Sequence, residues 1–232
     1  MSSDITRGAR ARARTEITAA IKDEARRQLA ADGAAKLSLR AVARALGMVS
    51  SALYRYFPSR DDLLTALIID AYDSLGEAAE SADAALAGAP PARRWSAVCE
   101  AVRRWALAHP HEYALIYGSP VPGYSAPQTT VPPAARVGLL FFAIVGDAHR
   151  AGELSAPELP PVLRPEAERM AADLAPELPP ETVSALVAAW AQLFGLVSFE
   201  LFGQFNRVVE EREEFFRHAV ARLADGVGLP RG

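Results

Sequence analysis

The chain has 232 residues, half of them hydrophobic and 23% charged, which fits a folded soluble protein and excludes a disordered one. The net charge of −3 hides a division: residues 1–60 carry twelve Lys or Arg against five acids, a net +7, and residues 61–232 a net −10, so one part is suited to a polyanion and the other is not. The single cysteine, Cys99, excludes an intrachain disulfide and a cysteine-based metal site, and points to a reducing, cytoplasmic setting.

Ser2 to Arg14 sets four arginines among small residues without an apolar period; it predicts a mobile basic arm and lacks the apolar core of a secretory signal. From Thr15 the pattern turns helical, with Ile17, Ile21, Ala25 and Leu29 on one stripe and Asp32-Gly33 as its end. Ser38 caps a second helix whose inner side is Leu39, Val42, Ala43 and Leu46. Gly47 supplies the turn. Val49, Leu53 and Phe57 follow at i, i+4, i+8, one side of a third short helix that Pro58 stops. Ser59-Arg60-Asp61-Asp62 has the form of a capping box and opens a long fourth helix through Leu63, Leu67, Ile68 and Tyr72, interrupted by the Ala/Gly/Pro run 84–91. Further helices are expected over 93–108, 111–117, 135–151, 164–174, 182–205 and 210–227, separated by Pro/Gly-rich pieces. Thr182 to Phe199 carries no charge over 18 residues, but Gln192, two serines and the flanking Glu181 and Glu200 favour a buried helix over a membrane span. No alternating β pattern or internal repeat is visible. The expected fold is all-α: an N-terminal three-helix helix-turn-helix domain over residues 1–60, then an all-helical regulatory and dimerisation domain over 61–232.

Two short helices joined by a glycine turn, followed by a cationic step into a third, is how a protein presents one helix to the major groove of DNA. With Val49, Leu53 and Phe57 facing inward, the outer side of the reading helix carries Ser51, Ala52 and Arg55, with Ser50 at its first turn. Short side chains allow close approach, the methyl of Ala52 suits a thymine methyl, and Arg55 suits either guanine or a phosphate. Ser38, Arg40, Tyr54, Tyr56 and Arg60 surround that helix as candidate phosphate donors. Tyr54 packing on the first helix and Arg60 as a solvated charge are the plainer alternatives. The arginine arm either touches DNA or only aids solubility.

These residues resemble the DNA-binding domain of the tetracycline-repressor (TetR/AcrR) family. The matching runs are Leu39-Arg40-Ala41-Val42-Ala43, Leu46-Gly47-Met48, Ala52-Leu53-Tyr54-Arg55-Tyr56-Phe57-Pro58-Ser59-Arg60 and Leu63-Leu64. The resemblance implies that Tyr54, Tyr56 and Arg60 hold the phosphate backbone, and that Ser50, Ser51, Ala52 and Arg55 lie in or beside the major groove. The family usually has Ser or Thr where this chain has Val49. The cap of the reading helix here shifts to Ser50, comes from the backbone, or is absent.

The same resemblance implies that the acidic remainder dimerises and binds a small effector. The stretch from Trp105 through His109 and Tyr117 to Gly118 resembles a C-terminal subtype marked by Trp, His and Gly. The helix 182–205 is apolar nearly all round (Val183, Leu186, Val187, Trp190, Leu193, Phe194, Val197, Leu201), and with the last helix it suits a two-fold, four-helix homodimer interface. Two heads about 34–36 Å apart grip a palindromic double-stranded operator. The expected pocket has apolar and aromatic walls suited to a lipophilic effector, with Trp105, His109, Tyr113, Tyr117, Phe141, His149, Trp190 and Phe194 as candidates and Gln192 as a further polar group. Aromatic residues at helical spacing also serve simply as core. The reading is a ligand-responsive repressor released from its operator by the effector, and four histidines without a cysteine cluster are too few for a metal site; the alternative is a dimeric helix-turn-helix protein without an effector. No catalytic motif, cofactor or metal site is expected, and the chain does not read as an enzyme.

Overall fold

The computed structural model describes residues 2–230, with side chains from residue 11 onward. The described residues form ten α-helices: α1 Ser2–Asp32, α2 Leu39–Ala45, α3 Ser50–Leu53, α4 Arg60–Ala84, α5 Pro91–Ala108, α6 Pro110–Tyr117, α7 Val131–Arg150, α8 Arg164–Leu174, α9 Pro180–Leu201 and α10 Arg212–Val227. They divide into two compact units, one of residues 1–71 and 111–131, the other of residues 72–110 and 132–232. The expected boundary after residue 60 therefore falls at the start of α4, and α6 with its following loop joins the first unit.

In the first unit, the stripe of α1 packs as its spacing dictates: Ile21, Ala25 and Leu29 are buried with Leu39, Val42 and Ala43 of α2, Leu53 and Phe57 around α3, and Leu63, Leu64 and Leu67 of α4. Leu115, Val121 and Tyr124 pack on the same cluster. The Tyr124 hydroxyl lies 2.9 Å from Thr65 Oγ1. The start of α1 corrects the expected arm, because the backbone is helical from Ser2. Alternating alanine and arginine over residues 9–14 are strong helix formers, so no apolar stripe is needed to extend the helix N-terminally.

The second unit is held by α5, α7, α8, α9 and α10 and the second half of α4. Trp95, Val98, Val102 and Ala106 of α5 are buried, as are Phe141, Ile144 and Val145 of α7 and Val183, Leu186, Leu193 and Val197 of α9. The rings of Trp95 and Phe141 pack at a tilt with centroids 4.5 Å apart. Arginines clamp the helices together. Arg94 on α5 bonds both oxygens of Asp83 on α4 (2.7 and 2.9 Å) and Asp147 on α7 (2.5 Å). Arg136 on α7 reaches Asp73 and Glu80 on α4. Arg103 on α5 makes a two-pronged pair with Glu200 on α9 (2.7 and 2.6 Å) and lies over the ring of Phe216 on α10. Two helical stretches, 128–150 and 180–201, are long and apolar enough to cross a bilayer by length and composition.

Candidate nucleic-acid interface

The head is built from its turns outward. Ser38 Oγ accepts the Ala41 N–H at 3.5 Å and starts α2. α2 ends in a Schellman turn: Met48 N–H donates to Ala43 O (2.9 Å) and Gly47 N–H to Arg44 O (3.2 Å). That turn needs a positive φ at Gly47, which is +65°. Glycine meets it without the steric cost a Cβ would bring. The chain thus leaves α2 at a fixed angle and enters α3.

α3 is shorter than its spacing suggested. Only Ser50–Leu53 is α-helical; single turns carry the chain on to Phe57, with Tyr56 N–H on Leu53 O at 2.8 Å and Phe57 N–H on the same oxygen at 3.1 Å. Leu53 and Phe57 face inward as expected. Val49 does not. It is the N-cap of α3, extended at φ −70° and ψ 138°, and 70% exposed. The i, i+4 rule that placed it in the core applies inside a helix, and Val49 lies just outside one. Its side chain gives α3 no capping hydrogen bond, and the Ala52 N–H donates to the Val49 carbonyl at 2.9 Å.

Around α3 the candidate contacts sort by exposure. Arg40, Ser50, Ser51, Tyr54 and Arg55 are exposed, and Ala52 and Tyr56 are half-buried. The guanidinium of Arg14 lies 5.3 Å from the centre of the Tyr56 ring, a cation–π contact that ties α1 to the end of the reading element. Sequence reasoning did not pair these two; nothing in their spacing marks a contact 42 residues apart. Arg60 is largely occupied inside the head. Its Nε donates to Leu37 O (3.2 Å) and its Nη2 to Ala34 O (2.9 Å) and Ala35 O (3.4 Å). Those carbonyls end the 3₁₀ turn after α1, so Arg60 fastens the start of α4 to the end of α1. Ser59 caps α4, accepting the Asp62 N–H at 3.1 Å while its hydroxyl donates to Asp62 Oδ2 at 2.7 Å. On the outer side of α1, Asp70 holds both Lys22 (2.8 Å) and Arg26 (2.7 Å), and Arg26 also reaches Glu112 (3.1 Å) at the edge of a groove of about 410 Å³. These acids lie far along the chain from their partners, so their neutralising role has no local signature.

The effector candidates are divided between the two units. Tyr113 and Tyr117, 5.1 Å apart by ring centroid, belong to the first unit. Trp105, His109, Phe141, His149, Trp190 and Phe194 belong to the second. Trp105 is buried with its Nε1–H on Ser74 Oγ (2.9 Å), and His109 stacks on it with Nδ1 2.9 Å from Trp105 O. Phe141 is core, while Trp190 is 42% exposed and packs edge-on against buried Phe194. His149 is exposed on the last turn of α7.

Residues 21–67, which cover the helix-turn-helix, match the family described as bacterial regulatory proteins, tetR family, and residues 95–223 match the tetracyclin repressor-like C-terminal domain. The chain belongs to the TetR family. It is therefore a helix-turn-helix, DNA-binding transcriptional regulator. The HTH-type transcriptional regulators Rv1816 of Mycobacterium tuberculosis and Mb1846 of Mycobacterium bovis are each 41% identical to it over 207 residues, 86% of either chain. Among solved structures, the regulatory protein SCO4313 shares 35% identity with a TM-score of 0.76, over 92% of this chain and 98% of that one. RolR, solved in complex with resorcinol, shares the fold at 16% identity and a TM-score of 0.54, over 95% and 98% of the two chains. In this TetR-family chain α3 and the turn behind it carry the exposed side chains of Ser50, Ser51, Tyr54 and Arg55.

Proposed function

We propose that this TetR-family regulator is a homodimeric repressor that grips a palindromic operator with two α3 rims and is released by a small lipophilic effector. The observation that carries the DNA part is the exposed run Val49, Ser50, Ser51, Tyr54 and Arg55 outside a packed head whose shape is fixed by Gly47 and Arg60. The dimer is supported by aromatic side chains left in water on the last two helices. Trp190 and Phe199 of α9, Phe202 just after it, and Phe215 of α10 are each 42–53% exposed. Large exposed aromatics on neighbouring helices suit burial against a second copy.

A lipophilic effector is supported by saturation of the polar candidates. The indole of Trp105 and Nδ1 of His109 already have partners within the second unit, so selectivity there rests on shape and aromatic contact. RolR holds resorcinol in the same fold, which supports an aromatic occupant. Release acts only as far as the effector prefers the non-binding arrangement. α4 is suited to carry that preference, since it supplies Leu63, Leu64 and Leu67 to the core of the head and Asp73, Glu80 and Asp83 to the clamps of the second unit. The test selects duplexes from a randomised pool and measures binding with and without small aromatic compounds that raise the melting temperature of the protein. Enrichment of a two-fold symmetric site, and its release by a stabilising compound, is expected. A site without symmetry overturns the paired heads, and binding unmoved by every stabilising compound overturns the effector role.

A further inference from the structure

We propose that Val49 reads a thymine: its isopropyl group meets the C5-methyl of a T·A pair in the major groove and sets part of the base preference of the head. The inference rests on the DNA-binding role of the head and on entry by α3. In helix-turn-helix proteins the N-terminal residues of the reading helix approach the base edges. Val49 is the N-cap of that helix, and its extended backbone places it ahead of Ser50. It is 70% exposed, more than any other large apolar side chain among the described residues of its unit. Leu53 and Phe57 fill the inner side of the element without it. Ser50 and Ser51, which follow it, are exposed and short, so neither holds the isopropyl group away from a base pair.

A lone exposed valine on an ordinary surface asks for no explanation. Here the residue stands at a helix start, where valine forgoes the capping bond that Ser, Thr or Asp would make. What it offers instead is apolar surface on the leading edge of the reading element. The only apolar group that a base pair presents in the major groove is the thymine methyl. A hydroxyl at this position would favour polar acceptors; two methyl groups favour the thymine. Ala52, to which the sequence assigned this contact, is half-buried and has one methyl.

The test uses the full chain and duplexes selected from a randomised pool, with each thymine in turn replaced by deoxyuridine, which removes only the C5-methyl. Wild-type protein is compared with Val49→Ser and Val49→Ala. Serine restores a capping oxygen to α3 and alanine does not, so a loss common to both does not stem from the cap. At one thymine in each half-site, loss of the methyl should weaken wild-type binding by about three- to tenfold. Both variants should show no difference there, and should tolerate other bases at that position in a repeated selection. Deoxyuridine effects that are absent in the wild type, or equal in wild type and variants, overturn the contact. So does loss of binding by both variants to every duplex, which would give Val49 a role in folding instead. Wild-type protein that enriches no duplex would instead count against sequence-specific binding by the head as a whole.

Discussion

Arg60 shows how one side chain can satisfy two readings that a single measurement separates. Its position after Tyr-Phe-Pro-Ser marks it as a phosphate donor by family resemblance, yet its guanidinium lies on the carbonyls of Ala34, Ala35 and Leu37. Charge-assisted bonds to half-buried carbonyls contribute more than a solvent-exposed contact, so Arg60→Ala should destabilise the head by about 1.5–3 kcal/mol. Chemical denaturation followed by the circular dichroism of the helices reads that loss. If Arg60 served phosphates alone, stability would hold and only the slope of log affinity against log salt would fall, by about one. Arg55 gives the opposite expectation. It is exposed, so Arg55→Ala should leave the melting temperature in place and weaken specific binding by about 1–3 kcal/mol, read by fluorescence anisotropy at fixed salt. Tyr54→Phe should weaken binding to selected and random duplexes alike. The motif made these residues visible in the sequence. What it could not show is which of them the fold has already engaged, because the carbonyls that hold Arg60 belong to a turn more than twenty residues away.

At the scale of elements, the helices after α4 were legible because each ends within two residues of a proline or glycine. The expected spans 93–108, 111–117 and 164–174 match α5, α6 and α8 to within two residues at each end. Misreadings fell at starts and ends, where periodicity no longer applies: the extension of α1 back to Ser2, the single turn of α3, and the early end of α9 at Leu201. The ion pairs that bind one helix to another were not legible at all. Arg94 lowers the pKa of Asp147 from its ordinary 3.8, chiefly through their hydrogen bond with help from Arg150. Arg136 lowers that of Glu80 from 4.5 in the same way. Groups that ionise more readily in the folded state stabilise it above their ordinary values, and that support drains away as pH falls through the folded ones. Melting temperature should therefore decline below about pH 4.5, and Asp147→Asn should lower it at pH 7 and by less at pH 3. Equal loss at both pH values would mean that Asp147 acts through packing and not charge. Arg103 and Glu200 offer a sharper case, since Glu200 is almost fully buried. Arg103→Ala leaves its carboxylate without a partner and should cost about 3–5 kcal/mol, whereas Arg103→Met with Glu200→Leu should recover most of it.

For the whole molecule, the repressor proposed above draws its sequence specificity from pairing. One head presents a reading helix of a single turn, which offers too few base contacts to select a site alone. The exposed rings of Phe199 on α9 and Phe215 on α10 each pack edge-on against Phe205, and the exposed ring of Trp190 stands nine residues earlier on α9, on the opposite side of that helix. Charge placed there should separate two copies without touching either head. Trp190→Glu with Phe199→Glu is expected to turn a dimer into a monomer in sedimentation velocity, with the circular dichroism of the helices retained, because neither ring is part of the buried core. Loss of the partner removes one half-site's contacts, so affinity for a selected symmetric duplex should fall at least a hundredfold, while weak binding to random duplex, which rests on phosphates, should fall far less. A variant that remains dimeric would move the interface away from α9. A monomer that still binds the symmetric site at wild-type strength would mean that one α3 rim suffices, and would overturn the paired arrangement from which the repressor reading draws its specificity.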